Sequence, residues 1–475
     1  MGMKRKSGIL LPIFSLPSPY GIGTLGRAAY DFADFLAEAG QRLWQILPIG
    51  ATAEYNSPYR CLSAFAGNPF FIDLDILLAQ RRIDERRLRL LRRNAPEESN
   101  LRVNYDYLAE EVFPILVDAA STVGEKGKKF SQFRETEAYW LRDYASFMEN
   151  RMPSVTTDIW ERLQFLFFEQ WDALHRYVNQ KGIQIIGDIP YYVSEESADY
   201  RANPALFKTF KRGARQGQPS AVSGVPPDQF SANGQVWTNP VYDWAYHKND
   251  GYRWWLQRLS QADRLYDYCR IDHFRGFSEF FSIPIEGSAA DGKWVKGPGM
   301  DFIHTVQKKL PGLKILAEDL GILSDHARKL LSDSGYPDMI VLQFAFDPRE
   351  ESTYLPHNHH RNAVVYTGTH DNNTLEGWIS AEHTDVIKNA CMYLGVLRTN
   401  LRSSMIRATL ASIADTAIIP LSDYLGLGAD ARLNTPSTVG PQNWSWRVPN
   451  NYRKKRFAAT IRKETERYGR GQPVR

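Results

Sequence analysis

Apolar residues recur along this chain in short, nearly unbroken runs. Eight stand out: GILLPIF (8–14), LWQILPI (43–49), IQIIGDIPYYV (183–193), YDYCRID (266–272), KILAED (314–319), MIVLQFAF (339–346), AVVYTGTHD (363–371) and AIIPLSD (417–423). Each has the length of a strand and stops at a polar or glycine-rich segment. Between them lie stretches with helical spacing of apolar residues, such as RAAYDFADFLAEAG (27–40) and DHARKLLSDSG (325–335). The second closes on Gly335, the residue type that most easily takes the left-handed turn after a helix. A strand apolar on both faces needs cover on both, so the pattern predicts a parallel sheet sheathed in helices. Eight such units predict an α/β fold, a (β/α)8 TIM barrel, although a doubly wound sheet also fits the alternation.

Two connections are far longer than loops. Residues 50–182 predict a mainly helical insertion, with RRIDERRLRLLRR (81–93) and EAYWLRDYASFMEN (137–150). Residues 194–265 are rich in Gly, Pro, Asn and Gln around SGVPPDQFSANGQVWTNP (223–240). Placed at the C-terminal rim, both are expected to wall a substrate cleft within one catalytic unit, 1–475. The basic run 81–93 reads as the solvated face of a helix. The closing YRKKRFAATIRKETERYGRGQPVR reads as a helix that frays into a tail.

Composition narrows the function classes. With 58 basic and 54 acidic residues the net charge is +4, little reason to expect a nucleic-acid partner. Three distant cysteines make neither a disulfide framework nor a zinc motif, and point to a reducing, cytoplasmic setting. No run approaches the length needed to span a bilayer, and Pro12 breaks the apolar start too early for a signal peptide. Aromatic residues make up 13% of the chain, which suits ring-shaped ligands and core packing alike.

Strand ends hold the candidate chemistry, because barrel enzymes place their reacting groups there. Four runs finish in carboxylates: Asp188, Asp272, Glu318–Asp319 and His370–Asp371. Taken singly, each could be half of a structural ion pair. Asp272, Glu318 and Asp371 together match what cleavage of a glycosidic bond needs: an ionised nucleophile, a protonated acid and a further anion near the developing sugar cation. Arg270, two residues before Asp272, faces the same side of its strand and would keep that carboxylate charged. Glu318 follows the apolar ILA, a setting that raises a carboxyl pKa. His273 and His370 could ligate a metal, but no partner lies at zinc or facial-triad spacing, so contacts to sugar hydroxyls fit better. A competing motif, GIGTLG (21–26), has dinucleotide-binding spacing, yet SLPSPY lengthens its loop and the following strand lacks the acidic residue.

The blocks RIDHFRGF, ILAEDLG, VVYTGTHDNNT, GDIPYYV, NSPYRCLSAFAGNPFFIDL and GVPPDQFSANGQVWTNPVYDW resemble those of the 4-α-glucanotransferases (amylomaltases or disproportionating enzymes), glycoside hydrolase family 77. The likeness runs from GILLPIFSLPSPYGIGTLG to NWSWR (443–447). It implies a retaining transfer of α-1,4-glucan segments between maltooligosaccharides, with no metal, no organic cofactor and no C-terminal β-domain. By this resemblance Asp272 is the nucleophile, Glu318 the acid/base and Asp371 the transition-state stabiliser. Arg270 and His370 would hold the donor sugar, with Ser57 and Tyr59 flanking it. Asp228 and Trp237 would belong to the mobile lid, Phe344 to an acceptor platform, and Asn443 to a late block near the donor sites. Departures fall in binding segments: Glu54, Arg60, Cys61, Arg201, Gln229 and the TPSTVGPQNW block. An amylase-like hydrolase is the main alternative, since it shares the covalent intermediate and differs only in letting water resolve it. A glucan-binding protein without catalysis and a nicotinamide oxidoreductase are the others.

Overall fold

The computed structural model describes residues 5–53, 56–96, 101–227, 233–321 and 323–471. Each of the eight apolar runs contributes one strand: β1 (Lys6–Leu10), β2 (Leu43–Gln45), β3 (Gln184–Ile189), β4 (Tyr268–Ile271), β5 (Ile315–Ala317), β6 (Asp338–Val341), β7 (Ala363–Tyr366) and β8 (Thr416–Pro420). Every ladder pairing between them is parallel, in the order β6-β7-β8-β1-β2-β3-β4-β5. The ring is completed between β5 and β6 by other means. Ala317 N–H donates to Pro337 O (2.9 Å), and Met339 N–H donates to the Asp319 carboxylate (2.9 Å). Asp319 thus serves the barrel seam, while its neighbour Glu318, on the opposite side of the chain, is free to face the cleft.

The strands are almost wholly buried, as a barrel covered by helices requires. Inside, the upper layer is polar: Gln45 accepts from Tyr366 Oη (3.0 Å), and Asp188 and Arg270 are paired. The GIGTLG segment is a close-packed turn. A Cβ on Gly26 would fall 1.9 Å from the Asp73 carboxylate, which also accepts from Thr24 Oγ1 (2.6 Å). Glycine is therefore required for packing there.

Between β2 and β3 the chain forms a series of helices, ending in the 24-residue Thr157–Gln180. The 194–265 segment supplies two strands, Ala221–Val225 and Gln235–Pro240, which join Glu279–Pro284 and Lys293–Lys296 in a separate antiparallel sheet. After residue 450 the described chain holds one helix, Lys455–Arg467. The tail beyond it departs from the fraying the sequence suggests. Arg470 is fully buried and donates to the carbonyls of Lys6 (2.9 Å), Leu410 (2.7 Å), Ser412 (2.7 Å) and Ala414 (2.8 Å), plugging the N-terminal end of the barrel.

Candidate active site

Asp272 and Glu318 each stand one residue beyond a strand, on the neighbouring β4 and β5. Backbone contacts join them. Glu318 N–H donates to Ile271 O (3.0 Å), and Asp272 N–H to Ile189 O (3.1 Å). Immediately after Asp272, His273 takes a left-handed conformation (φ 50°), and its N–H donates to Glu318 Oε2 (2.6 Å). Leu320 N–H donates to Glu318 Oε1 (2.9 Å), so both oxygens of that carboxyl are fixed by backbone. A bulky residue with positive φ is strained, and here the strain aims an amide at a candidate catalytic group.

Arg270 organises the charge below them. Its Nη1 donates to both oxygens of buried Asp188 (2.8 and 2.7 Å), and its Nη2 lies 3.1 Å from Asp272 Oδ1. The two-residue spacing from Arg270 to Asp272 does place both on one side. Burial alone would lower the Arg270 pKa. Asp188 outweighs it, aided by Tyr59, Asp272 and Glu318, and the guanidinium ends well above the ordinary arginine value. Glu318 behaves differently. Burial first, then the charge of Asp272, pushes its carboxyl up to about 7, against Arg270 and the two amides. At neutral pH such a group can both give and take a proton.

The third carboxylate comes from further along the chain. Asp371 lies five residues beyond β7, with its Oδ2 3.4 Å from His370 Nε2 and its Oδ1 accepting from Asn434 Nδ2 (2.6 Å). The His370 ring stacks on Tyr59 (5.0 Å between centroids, 14° between planes), and Tyr59 Oη donates to Asp188 (2.7 Å). These contacts tie Tyr59, Asp188, Arg270, Asp272, Glu318, His370 and Asp371 into one constellation. Two buried ring nitrogens in it, His370 Nδ1 and His273 Nε2, have no hydrogen-bond partner. Burial pushes the His273 imidazole down to about 4, so it is neutral and can offer a hydrogen bond to a hydroxyl. Among the described residues no group of three or more His, Cys, Asp or Glu could hold a metal ion.

The remaining candidates lie at varying distance from this centre. Trp237, on the antiparallel sheet, meets His273 edge-on (5.1 Å). Phe344 is exposed and packs on Tyr354 (5.9 Å) on the side of Glu318. Ser57 Oγ accepts from Tyr59 N–H (3.3 Å), which shapes the NSPY turn. Asn443 spends its amide on its own loop: Oδ1 accepts from Thr435 N–H and Nδ2 donates to Thr438 O, each at 3.0 Å. Its neighbour Trp444 is the residue that reaches the site, 5.7 Å from Tyr59 and 6.0 Å from His370. Asp228 lies outside the described residues. Sequence reasoning missed Arg432, Asn434 and Trp444. Trp444 lay within the family-like NWSWR block without a role assigned to it, and Arg432 and Asn434 were signalled by their nearness to Asn443 in the chain.

Known proteins are similar to this chain over most of its length. The family model described as 4-alpha-glucanotransferase, glycoside hydrolase family 77, matches residues 11–162 and 149–452. A 4-alpha-glucanotransferase of Clostridium butyricum is 39% identical over 495 aligned residues, spanning 96% of this chain and 99% of that one. One from Streptococcus pneumoniae is 41% identical over 484, spanning 94% and 93%. Among solved structures, the amylomaltase from Streptococcus agalactiae in complex with acarbose is similar at a TM-score of 0.92 and 36% identity, over 99% of this chain and 100% of that one. The amylomaltase from Corynebacterium glutamicum, at 19% identity and a TM-score of 0.82 over 98% of this chain and 75% of that one, shares the fold. On the extent of these matches and the carboxylates gathered at one end of the barrel, the chain belongs to the 4-α-glucanotransferase family, glycoside hydrolase family 77.

Proposed function

We propose that this chain moves α-1,4-glucan segments from a donor to an acceptor glucan by a retaining double displacement on Asp272. The observation that carries the reading is the contrast between two adjacent carboxyls. Asp272 is ion-paired with Arg270 and open to the cleft, whereas Glu318 is held near neutrality by burial. In the first step an Asp272 oxygen attacks the anomeric carbon while Glu318 protonates the glycosidic oxygen. The leaving glucan departs with a free 4-hydroxyl, and the donor segment remains as a β-linked ester on Asp272. In the second step Glu318, now a carboxylate, takes the proton of an acceptor 4-hydroxyl. That oxygen attacks the same carbon, expels Asp272 and restores the α linkage. Asp371 faces the oxocarbenium-like charge in both steps, while Arg270, His370 and Tyr59 grip the donor sugar.

Transfer succeeds over hydrolysis only if the acceptor is oriented and water is kept out. Orientation can contribute about 7–11 kcal/mol. The insertions 50–182 and 194–265 are read as cleft walls of one catalytic unit; Trp237 from the second of them, Phe344 after β6 and Trp444 after β8 supply the aromatic surfaces for that task. Maltooligosaccharides are the expected partners. No described helix is long and apolar enough to cross a membrane, and the cysteines are unpaired, which supports a cytoplasmic location.

Incubating the purified protein with maltotriose alone, without metal or nucleotide, tests the activity. Glucose together with a ladder of longer maltooligosaccharides is the expected result. Glucose and maltose with nothing longer would make it a hydrolase.

A further inference from the structure

The three carboxylates are supported unequally. Asp272 and Glu318 follow their strands directly and are anchored by ladder-like backbone bonds. Asp371 sits five residues past β7, its side chain 46% exposed, with its own N–H donating only to Thr369 Oγ1 at 3.3 Å. A half-exposed carboxylate on a loop samples several orientations unless something outside the loop holds it.

That hold comes from a segment some 60 residues later. Asn434 Nδ2 donates to Asp371 Oδ1 (2.6 Å), and Arg432 Nη2 donates to the Asp371 carbonyl oxygen (2.7 Å). Arg432 Nε also donates to Asn434 O (2.6 Å), making the two residues one bracket. The segment is itself anchored. Trp444 N–H donates to Leu433 O (2.7 Å), Tyr105 Oη to Trp444 O (2.8 Å), Val103 N–H to Ser445 O (2.7 Å) and Arg102 Nη2 to Asp430 O (3.0 Å). Trp444 takes a positive φ of 58° to present its ring to Tyr59 and His370.

The chemistry of the bracket is selective. The cation, Arg432, is aimed at the backbone carbonyl; the carboxylate receives a neutral amide. The bracket thereby orients Asp371 without adding a guanidinium to its oxygens; the other neighbour, His370 Nε2, stays 3.4 Å from Oδ2, and the carboxylate is left to face a sugar cation. We propose that Asn434, backed by Arg432, is a positioning residue that fixes the Asp371 carboxylate against the developing charge, and that the 429–446 segment thereby completes the active centre. The inference rests on the reading of Asp371 as transition-state stabiliser.

A double-mutant cycle tests it, with kcat and KM measured separately on maltooligosaccharide. Asn434→Ala and the isosteric Asn434→Asp, which cannot donate when ionised, should each lower kcat about tenfold to hundredfold with KM within about twofold. Asp371→Asn/Asn434→Ala should be no slower than Asp371→Asn alone, because residues that act as a unit are not additive. A higher KM at unchanged kcat would make Asn434 a sugar contact and overturn the proposal. So would wild-type kinetics, or a loss that adds in full to that of Asp371→Asn. If Asp371→Asn alone kept near-normal turnover, the role of Asp371 itself would fall, an outcome distinct from the others.

Discussion

Two of the buried arginines, Arg270 near the C-terminal rim and Arg470 at the N-terminal end, are solvated by opposite means. Arg470 is surrounded by backbone carbonyls, dipoles that satisfy its N–H groups but do not balance its charge; burial pulls its guanidinium down to about 9. Arg270 is surrounded by carboxylates, and its pKa is driven up although it too is buried. Carbonyl oxygens hold a cation in place and close a barrel. Carboxylates couple a cation to groups that can react. The same division appears across (β/α)8 barrels, where one face serves stability and the other chemistry.

The sharpest way to break this comparison is at Asp272. Asp272→Asn keeps the shape beside Arg270, so glucan binding should persist while turnover drops by about four orders of magnitude or more. Near-normal turnover, measured as maltotriose disproportionation, would remove the nucleophile assignment. Next in size is Arg270→Met, which leaves Asp188 buried without its cation. Stability should fall by about 3–5 kcal/mol, and turnover should fall with it, by denaturant titration and kinetics on the same sample.

Glu318 gives a pH signature. The first step needs its proton, so kcat/KM should decline as pH rises through about 7. The sign for stability runs the same way. Its folded pKa is raised above the ordinary 4.5, so the stability tied to its protonation is fully present below about 4.5 and is lost as pH rises through about 7. Glu318→Gln should therefore abolish turnover and remove this group's part of the decline in Tm between about pH 4.5 and 7, while the N–H that loses its acceptor lowers Tm at every pH. Smallest in its effect on catalysis is Arg470→Met. Each carbonyl left without a donor costs about 1–3 kcal/mol, so Tm should drop while kcat and KM stay within about twofold. A loss of kcat at Arg470 equal to that at Arg270 would erase the distinction between the two ends.

Much of this was legible in the sequence, for identifiable reasons. Strands buried on both faces announce themselves as unbroken apolar runs, and a charge at the end of such a run is conspicuous because nothing in folding demands it. The pairing of Arg270 with Asp272 followed from strand geometry alone. What stayed hidden depends on contacts between distant segments. Asp319 shared a strand end with Glu318 in the sequence, but strand alternation turns it to the seam, where it accepts from Met339 N–H. Asn434 and Arg432 meet Asp371 only through the fold. Arg470 sits in a polar tail whose composition gives no hint of burial, because its partners are carbonyls, which carry no sequence signature.

The central claim is that Asp272 carries the glucan between donor and acceptor. Slowing the second step with Glu318→Gln, supplying a maltosyl or maltotriosyl fluoride whose leaving group needs no acid, and mapping the quenched protein by peptide mass spectrometry tests it directly. A glycosyl adduct is expected on the peptide containing Asp272 and none on those containing Glu318 or Asp371. An adduct on another residue, or fluoride release with no adduct at any time, would contradict it.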